Sequence, residues 1–197
     1  MKKLVLSNAE FKGCVSSILR QMMQDKWVPD YIVGITRGGL TPAVMLSQYL
    51  NVPMHTLNVS LRDNSGLGPE SNLWMAEDAY GYPRNEKTVN DPNDVGAILE
   101  AASDLLSEGD NCKNILIVDD INDTGATLDW IIEDWKSSCL PNDPEWEYVW
   151  NNNVRFAVIV DNLSSNCKVK MDYVGMEVNK AEDDVWVEFP YENWWNK

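Results

Sequence analysis

Apolar residues recur along the chain in two rhythms. In SNAEFKGCVSSILRQMM (7–23), Phe11, Val15, Ile18, Leu19, Met22 and Met23 share one helical face. Ser7 followed three residues later by Glu10 forms a capping box, so a helix is predicted to start there. The second rhythm is a set of short segments rich in apolar residues: YIVGIT (31–36), MHTLNVSL (54–61), NILIVDD (114–120), VRFAVIV (154–160) and YVGMEV (173–178). Such runs, rich in β-branched residues, predict strands buried on both faces. Helical patterns lie between them, in LTPAVMLSQYL (40–50), in 93–107 with Val95, Ile98, Leu99, Ala102 and Leu106 on one side, and around Leu128, Ile131, Ile132 and Trp135. Strands alternating with helices predict an α/β domain with a mostly parallel, twisted sheet flanked by helices. Residues 62–92 break the pattern. They are polar, rich in Gly, Pro, Asn and Asp, and predict a long flexible loop of the kind that often carries function.

Composition narrows the class. At 197 residues, with 44% hydrophobic and 24% charged, the chain suits one globular domain spanning 1–197. A formal net charge of −15 argues against a sequence-independent nucleic-acid binder, which needs clustered Lys and Arg. It leaves room for an anionic small molecule held in one locally positive loop or beside a divalent cation. Cys14, Cys112, Cys139 and Cys167 form no CxxC pair, so zinc is not expected. With no signal peptide and no apolar run long enough to span a bilayer, the expectation is a cytoplasmic protein with reduced thiols and no membrane partner.

The chemistry concentrates in ILIVDDINDTGATL (115–128). Here a buried strand ends on two aspartates and runs directly into a helix. Thr124, Gly125, Ala126 and Thr127 would place several N–H groups at the start of that helix, where the dipole favours an anion. Asp119 and Asp120, beside such a phosphate cradle, make sense if they hold hydroxyls or a metal. A sugar phosphate offers both its phosphate and its diol. Asp123 could then reach the reacting carbon or its incoming partner. An EF-hand-type calcium loop starting at Asp120 would need Glu where Ile131 stands. The GK[ST] of a phosphate-binding loop is absent, and an aspartyl-nucleophile phosphatase would want an acid where Asn122 stands. A phosphotransferase or phosphatase on a related sheet therefore stays a weaker alternative.

This stretch closely resembles the phosphoribosyl-pyrophosphate (PRPP) loop of the type I phosphoribosyltransferases, and of their xanthine–guanine and hypoxanthine salvage branch in particular. The resemblance extends over about residues 28–192. It implies the type I phosphoribosyltransferase fold with a small C-terminal hood, here 161–197, and transfer of phosphoribose from PRPP to a purine base, a 6-oxopurine on this branch. The products would be a nucleoside monophosphate and pyrophosphate. ITRGGLTP resembles the family's pyrophosphate loop, which assigns Thr36, Arg37, Gly38 and Gly39 to that group and implies a non-proline cis peptide near Thr36–Arg37. Asp119, Asp120, Asp123 and Thr124–Thr127 would hold the ribose and its 5-phosphate. Asp119 and Asp120 would meet magnesium directly or through water or ribose, and Asp123 would take the catalytic proton. VWVEFPYE (185–192) resembles the hood segment, with Trp186 stacking on the base and the backbone of Val187 facing its edge. Where the branch carries a lysine just past the strand at 154–160, this chain has Asn162, the expected base-contacting residue here. Residues 62–85, with Tyr80 and Tyr82, would close over the site. The family implies a homo-oligomer, dimer or tetramer. A PRPP-sensing regulator without catalysis would keep the same ligand residues. The single histidine, His55, is expected to be a packed or surface residue rather than a catalyst.

Overall fold

The computed structural model describes residues 2–59, 72–82 and 112–196. The predicted helix at 93–107 and most of the 62–92 segment lie outside these. The capping box forms as the sequence predicts. Ser7 Oγ accepts from the Glu10 N–H, and Glu10 Oε2 accepts from the Ser7 N–H at 2.8 Å. It starts helix α1 (Asn8–Asp25), after a first short strand, β1 (Lys2–Val5). Then come β2 (Tyr31–Ile35), α2 (Leu40–Leu50), β3 (Met54–Leu57), α3 (Leu73–Tyr80) and β4 (Ile115–Asn122). The chain continues with α4 (Ala126–Ser138), a 3-10 turn (Pro144–Tyr148), β5 (Val154–Asn162), β6 (Tyr173–Val178) and β7 (Val185–Glu188). None of the described helices is long and apolar enough to cross a membrane.

Five strands form one parallel sheet in the order β3-β2-β4-β5-β6. The two-residue period of a strand sends its side chains to alternate faces, and both faces are covered. Tyr31, Val33, Ile35, Ile115, Ile117 and Phe156 pack one way, against α3, α4 and the buried ring of Trp146. Ile32, Leu116, Val118, Ala157 and Ile159 pack the other way, against α1 and α2. This double burial is why the central strands read as largely apolar runs. His55 sits edge-on between Tyr31 (5.2 Å) and Trp74 (4.9 Å), a packing residue as expected.

Two elements depart from the sequence reading. Residues 73–80 are helical within the segment expected to be loop. Met75, Ala76 and Ala79 are buried against the core, and Gly81, at φ 78°, ends the helix by donating to Glu77 O. Tyr80 is partly buried and packs on Trp146 with ring centroids 5.3 Å apart, against the core. The second departure is a separate two-stranded parallel sheet, β1 with β7, in which Lys3 lies opposite Trp186 and Leu4 opposite Val187. Residues 185–188, within the segment 161–197, are thus paired with residues 2–5 at the start of the chain.

Candidate active site

In a parallel sheet, ligands bind beyond the carboxyl ends of the strands where the strand order reverses. Here the chain passes from β2 to β3 on one side and later returns to β4 on the other. The crevice between β2 and β4 therefore receives the two loops that the sequence marked. Thr36–Arg37 is a cis peptide, and Thr36 is fixed by its N–H to Leu57 O (2.9 Å) and its hydroxyl to Asn58 Oδ1 (2.9 Å). Of the two glycines that follow, Gly39 is required by backbone packing, and Gly38 lies against the Asp120 side chain. A Cβ on Gly39 would lie 2.3 Å from Val118 O and 2.9 Å from Asp119 Cα, and one on Gly38 would lie 1.7 Å from Asp120 Oδ2. The glycine loop thus lies flat on the end of β4.

Asp119 and Asp120 stand at that contact. Asp120 donates its N–H to Asp119 Oδ1 at 2.9 Å. Burial pushes the Asp119 carboxyl well above its ordinary range, and the neighbouring Asp120 pushes it further. Asp120 is also raised by burial, against the opposing hydrogen bond from Tyr191. The Tyr191 hydroxyl lies 3.1 Å from Asp120 Oδ2 and 3.2 Å from Gly38 O, tying the hood to both loops. Two adjacent carboxylates that burial disfavours as anions are suited to receive hydroxyl donors or a cation. Among the described residues there is no group of three or more His, Cys, Asp and Glu placed to hold a metal. A pair of carboxylates with the remaining positions filled by ligand oxygens and water is, however, how magnesium is commonly held. The donor set fits that ion in company with a phosphorylated ligand.

The turn after β4 forms the anion cradle. Gly125 has φ 87°, and a Cβ there would lie 2.5 Å from Cys167 Cα, so only glycine fits. Gly125 is the N-cap of α4 and brings no side chain to its first N–H groups. Thr124 Oγ1 accepts from Ala126 N at 3.4 Å, a long contact that a phosphate oxygen could outcompete. A cavity of about 960 Å³ joins these parts. Its wall includes Thr36, Arg37, Gly38, Asp119 and Asp120, all of the turn Asp123–Thr127, and Trp186 and Val187 of β7. Trp186 is 44% exposed, an unusual state for so large a ring, and it borders the cavity.

Asn162 requires a correction. It does not line the cavity, and it is only 5% exposed. Its Nδ2 donates to Asp123 O at 2.8 Å, and its Oδ1 accepts from Ser164 Oγ (2.8 Å), Ser164 N (3.2 Å) and Lys180 N (3.0 Å). It is a buried brace and cannot contact a base. A cation bordering the cavity besides Arg37 is Lys180, between β6 and β7, with Nζ 2.8 Å from Asp123 Oδ1.

With this geometry in hand, the comparisons are direct. The phosphoribosyl transferase domain family matches residues 4–192. The chain belongs to this family. Over 112 residues it is 27% identical to xanthine phosphoribosyltransferase 1 of Saccharomyces cerevisiae, a match covering 54% of this chain and 47% of that protein. The match thus spans about half the length of the curated relative. In fold it is similar to a purine phosphoribosyltransferase from Pyrococcus horikoshii, with TM-score 0.57, 23% identity and coverage of 98% of this chain and 96% of the other. It is equally similar to a xanthine-guanine-hypoxanthine phosphoribosyltransferase from Helicobacter pylori, with TM-score 0.57, 20% identity and coverage of 98% and 95%.

Within this phosphoribosyltransferase-family site, sequence reasoning missed Lys180 and Tyr191. Lys180 lies in NKAEDD, a polar stretch with no local mark of a site. Tyr191 stood within the quoted hood segment. Its role follows from parallel packing on Phe189 (5.5 Å between centroids) and edge-on packing on Phe11 of α1 (5.6 Å), which aim its hydroxyl at Asp120.

Proposed function

We propose that this protein transfers phosphoribose from PRPP to a purine base, a 6-oxopurine, with release of pyrophosphate. The observation that carries the proposal is the convergence, on one cavity, of a glycine turn at a helix N-terminus, two adjacent carboxylates, the Arg37–Gly38 loop and a half-exposed tryptophan ring. The turn Asp123–Thr127 grips the 5-phosphate, and Asp119 and Asp120 accept from the ribose hydroxyls. Thr36–Gly39 receives the pyrophosphate, with Arg37 available to pair with its oxygens. The donor's C1–oxygen bond breaks as pyrophosphate leaves with the bonding electrons, and a ring nitrogen of the base forms the new bond to C1. The proton on that base passes to the Asp123 carboxylate. Asp119 and Asp120, together with ligand oxygens, would hold a magnesium ion, which when bound would neutralise the leaving pyrophosphate. Trp186 offers the flat face on which a bicyclic base stacks, while Val187 borders its edge. The purine relatives named above support the choice of base.

The test is steady-state kinetics with PRPP and magnesium against guanine, hypoxanthine, xanthine, adenine, uracil and orotate, read by pyrophosphate release. Turnover of one or more 6-oxopurines is expected. Trp186→Ala should raise KM for the base far more than KM for PRPP, since only the base touches that ring. Turnover of a pyrimidine and of no purine overturns the assignment. Nucleotide binding without any turnover would instead identify a sensor on the same fold.

A further inference from the structure

Tyr191 serves two acceptors with one hydroxyl. Its oxygen lies 3.1 Å from Asp120 Oδ2 and 3.2 Å from Gly38 O. The ring is held by two residues that belong to neither loop. Phe189 stacks on it with centroids 5.5 Å apart and planes 5° from parallel, and Phe11 of α1 meets it edge-on at 5.6 Å. Both phenylalanines are buried. The hydroxyl therefore sits at a fixed point between the end of β4 and the glycine loop. A tyrosine hydroxyl has one proton to donate, and that proton turns about the C–O bond to suit its surroundings. Asp120 Oδ2 and Gly38 O cannot both receive it in full.

From this geometry we infer that Tyr191 is a positioning residue that couples the two ends of the cavity, a role that rests on the reading of Asp120 as a holder of sugar hydroxyls. When a ligand occupies Asp120, the Tyr191 proton is freed for Gly38 O and fixes the glycine loop. In the unliganded protein a carboxylate oxygen is a stronger acceptor than a peptide carbonyl. The hydroxyl then serves Asp120, and Gly38 O keeps the weaker share. A sugar hydroxyl arriving at Asp120 brings a donor of its own. The Tyr191 proton turns to Gly38 O, and the loop gains a hydrogen bond from a ring that the core holds still. That bond forms beside Gly39, where the loop lies against Val118 and Asp119 of β4. A sugar phosphate without any pyrophosphate thereby prepares residues 36–39 to receive one. By linkage, a pyrophosphate group that orders the loop tightens the sugar end by the same factor.

Hydrogen exchange at residues 36–40 tests this with ribose 5-phosphate as the probe, since that compound carries the sugar hydroxyls and the 5-phosphate alone. Calorimetry run alongside reports its binding. In the parent protein, saturating ribose 5-phosphate should slow exchange of this segment by about threefold to tenfold, the scale of one added hydrogen bond. Tyr191→Phe removes the hydroxyl and keeps the ring between Phe11 and Phe189, so the fold is retained. In this variant the same ligand should leave the exchange unchanged. Its KM for PRPP should rise severalfold while its KM for the base stays at the parent value. Tyr191→Leu, which also removes the ring, should raise both. A loop response that survives in Tyr191→Phe, or a parent that binds ribose 5-phosphate with no change at the loop, overturns the coupling and leaves the reading of the cavity intact. Kinetic effects confined to Tyr191→Leu would likewise overturn it, by reducing Tyr191 to a packing residue. A parent that shows the response but turns over no base supports the coupling and sinks the catalytic reading. Failure of ribose 5-phosphate to bind overturns both.

Discussion

Asp119→Asn combined with Asp120→Asn abolishes tight PRPP binding and leaves the fold at least as stable as before. Each carboxylate would accept hydrogen bonds from the sugar, and a charge-assisted bond contributes about 1.5–3 kcal/mol. Losing two such bonds weakens binding by roughly two to four orders of magnitude. Loss of the cation partner adds to that. The effect on stability has the opposite sign. Burial raises both carboxyl groups above their ordinary range, so the folded state disfavours their charged forms. The neutral amides relieve that conflict while keeping side-chain volume. Calorimetric titration with PRPP and thermal unfolding of the unliganded protein check the two halves. Unchanged affinity would remove the carboxylates from the ligand site. A large fall in melting temperature would show that they serve the fold.

Gly39→Val is the second change with a large expected effect. The added Cβ would meet Val118 O at 2.3 Å, Ile35 O at 2.8 Å and Asp119 Cα at 2.9 Å. All three are backbone atoms inside the sheet, so no side-chain rotation relieves the contact. The loop must lift from the end of β4, which separates Arg37 from the two aspartates. Overpacking of this kind costs about 1–3 kcal/mol of stability. Loss of pyrophosphate and PRPP binding should be nearly complete, because site geometry fails before the fold does. Circular dichroism showing native secondary structure alongside absent pyrophosphate binding is the expected pair of results. Full retention of binding would show that the loop does not need to lie against the strand.

What could be read from the sequence was what is local. The central strands β2, β4 and β5 were legible because burial on both faces leaves a largely apolar run. The aspartate turn was legible because its carboxylates, glycine and hydroxyls come from one continuous stretch. Helix α3 was not, since Met75, Ala76 and Ala79 give too short a stripe within polar flanks, and its stability comes from the core it packs against. The pairing of β1 with β7 left no trace either, because nothing near Lys3 announces a partner at Trp186. Asn162 was misread for a related reason. Its identity suggested a hydrogen-bonding edge, but its partners, Asp123 and Lys180, are set by tertiary contacts that give it no access to the cavity.

The strand pair β1–β7 also bears on how the molecule assembles. The phosphate cradle closes within a dozen residues of one strand and the helix that follows it. The wall carrying Trp186 forms only when residues 2–5 find residues 185–188, with ion pairs Lys2–Asp183 and Lys3–Glu188 fastening the contact. Closing so long a loop carries a larger entropic cost than a local turn, and contacts of high sequence separation tend to form late. The wall carrying Trp186 is therefore expected to form later in folding than the turn that follows β4.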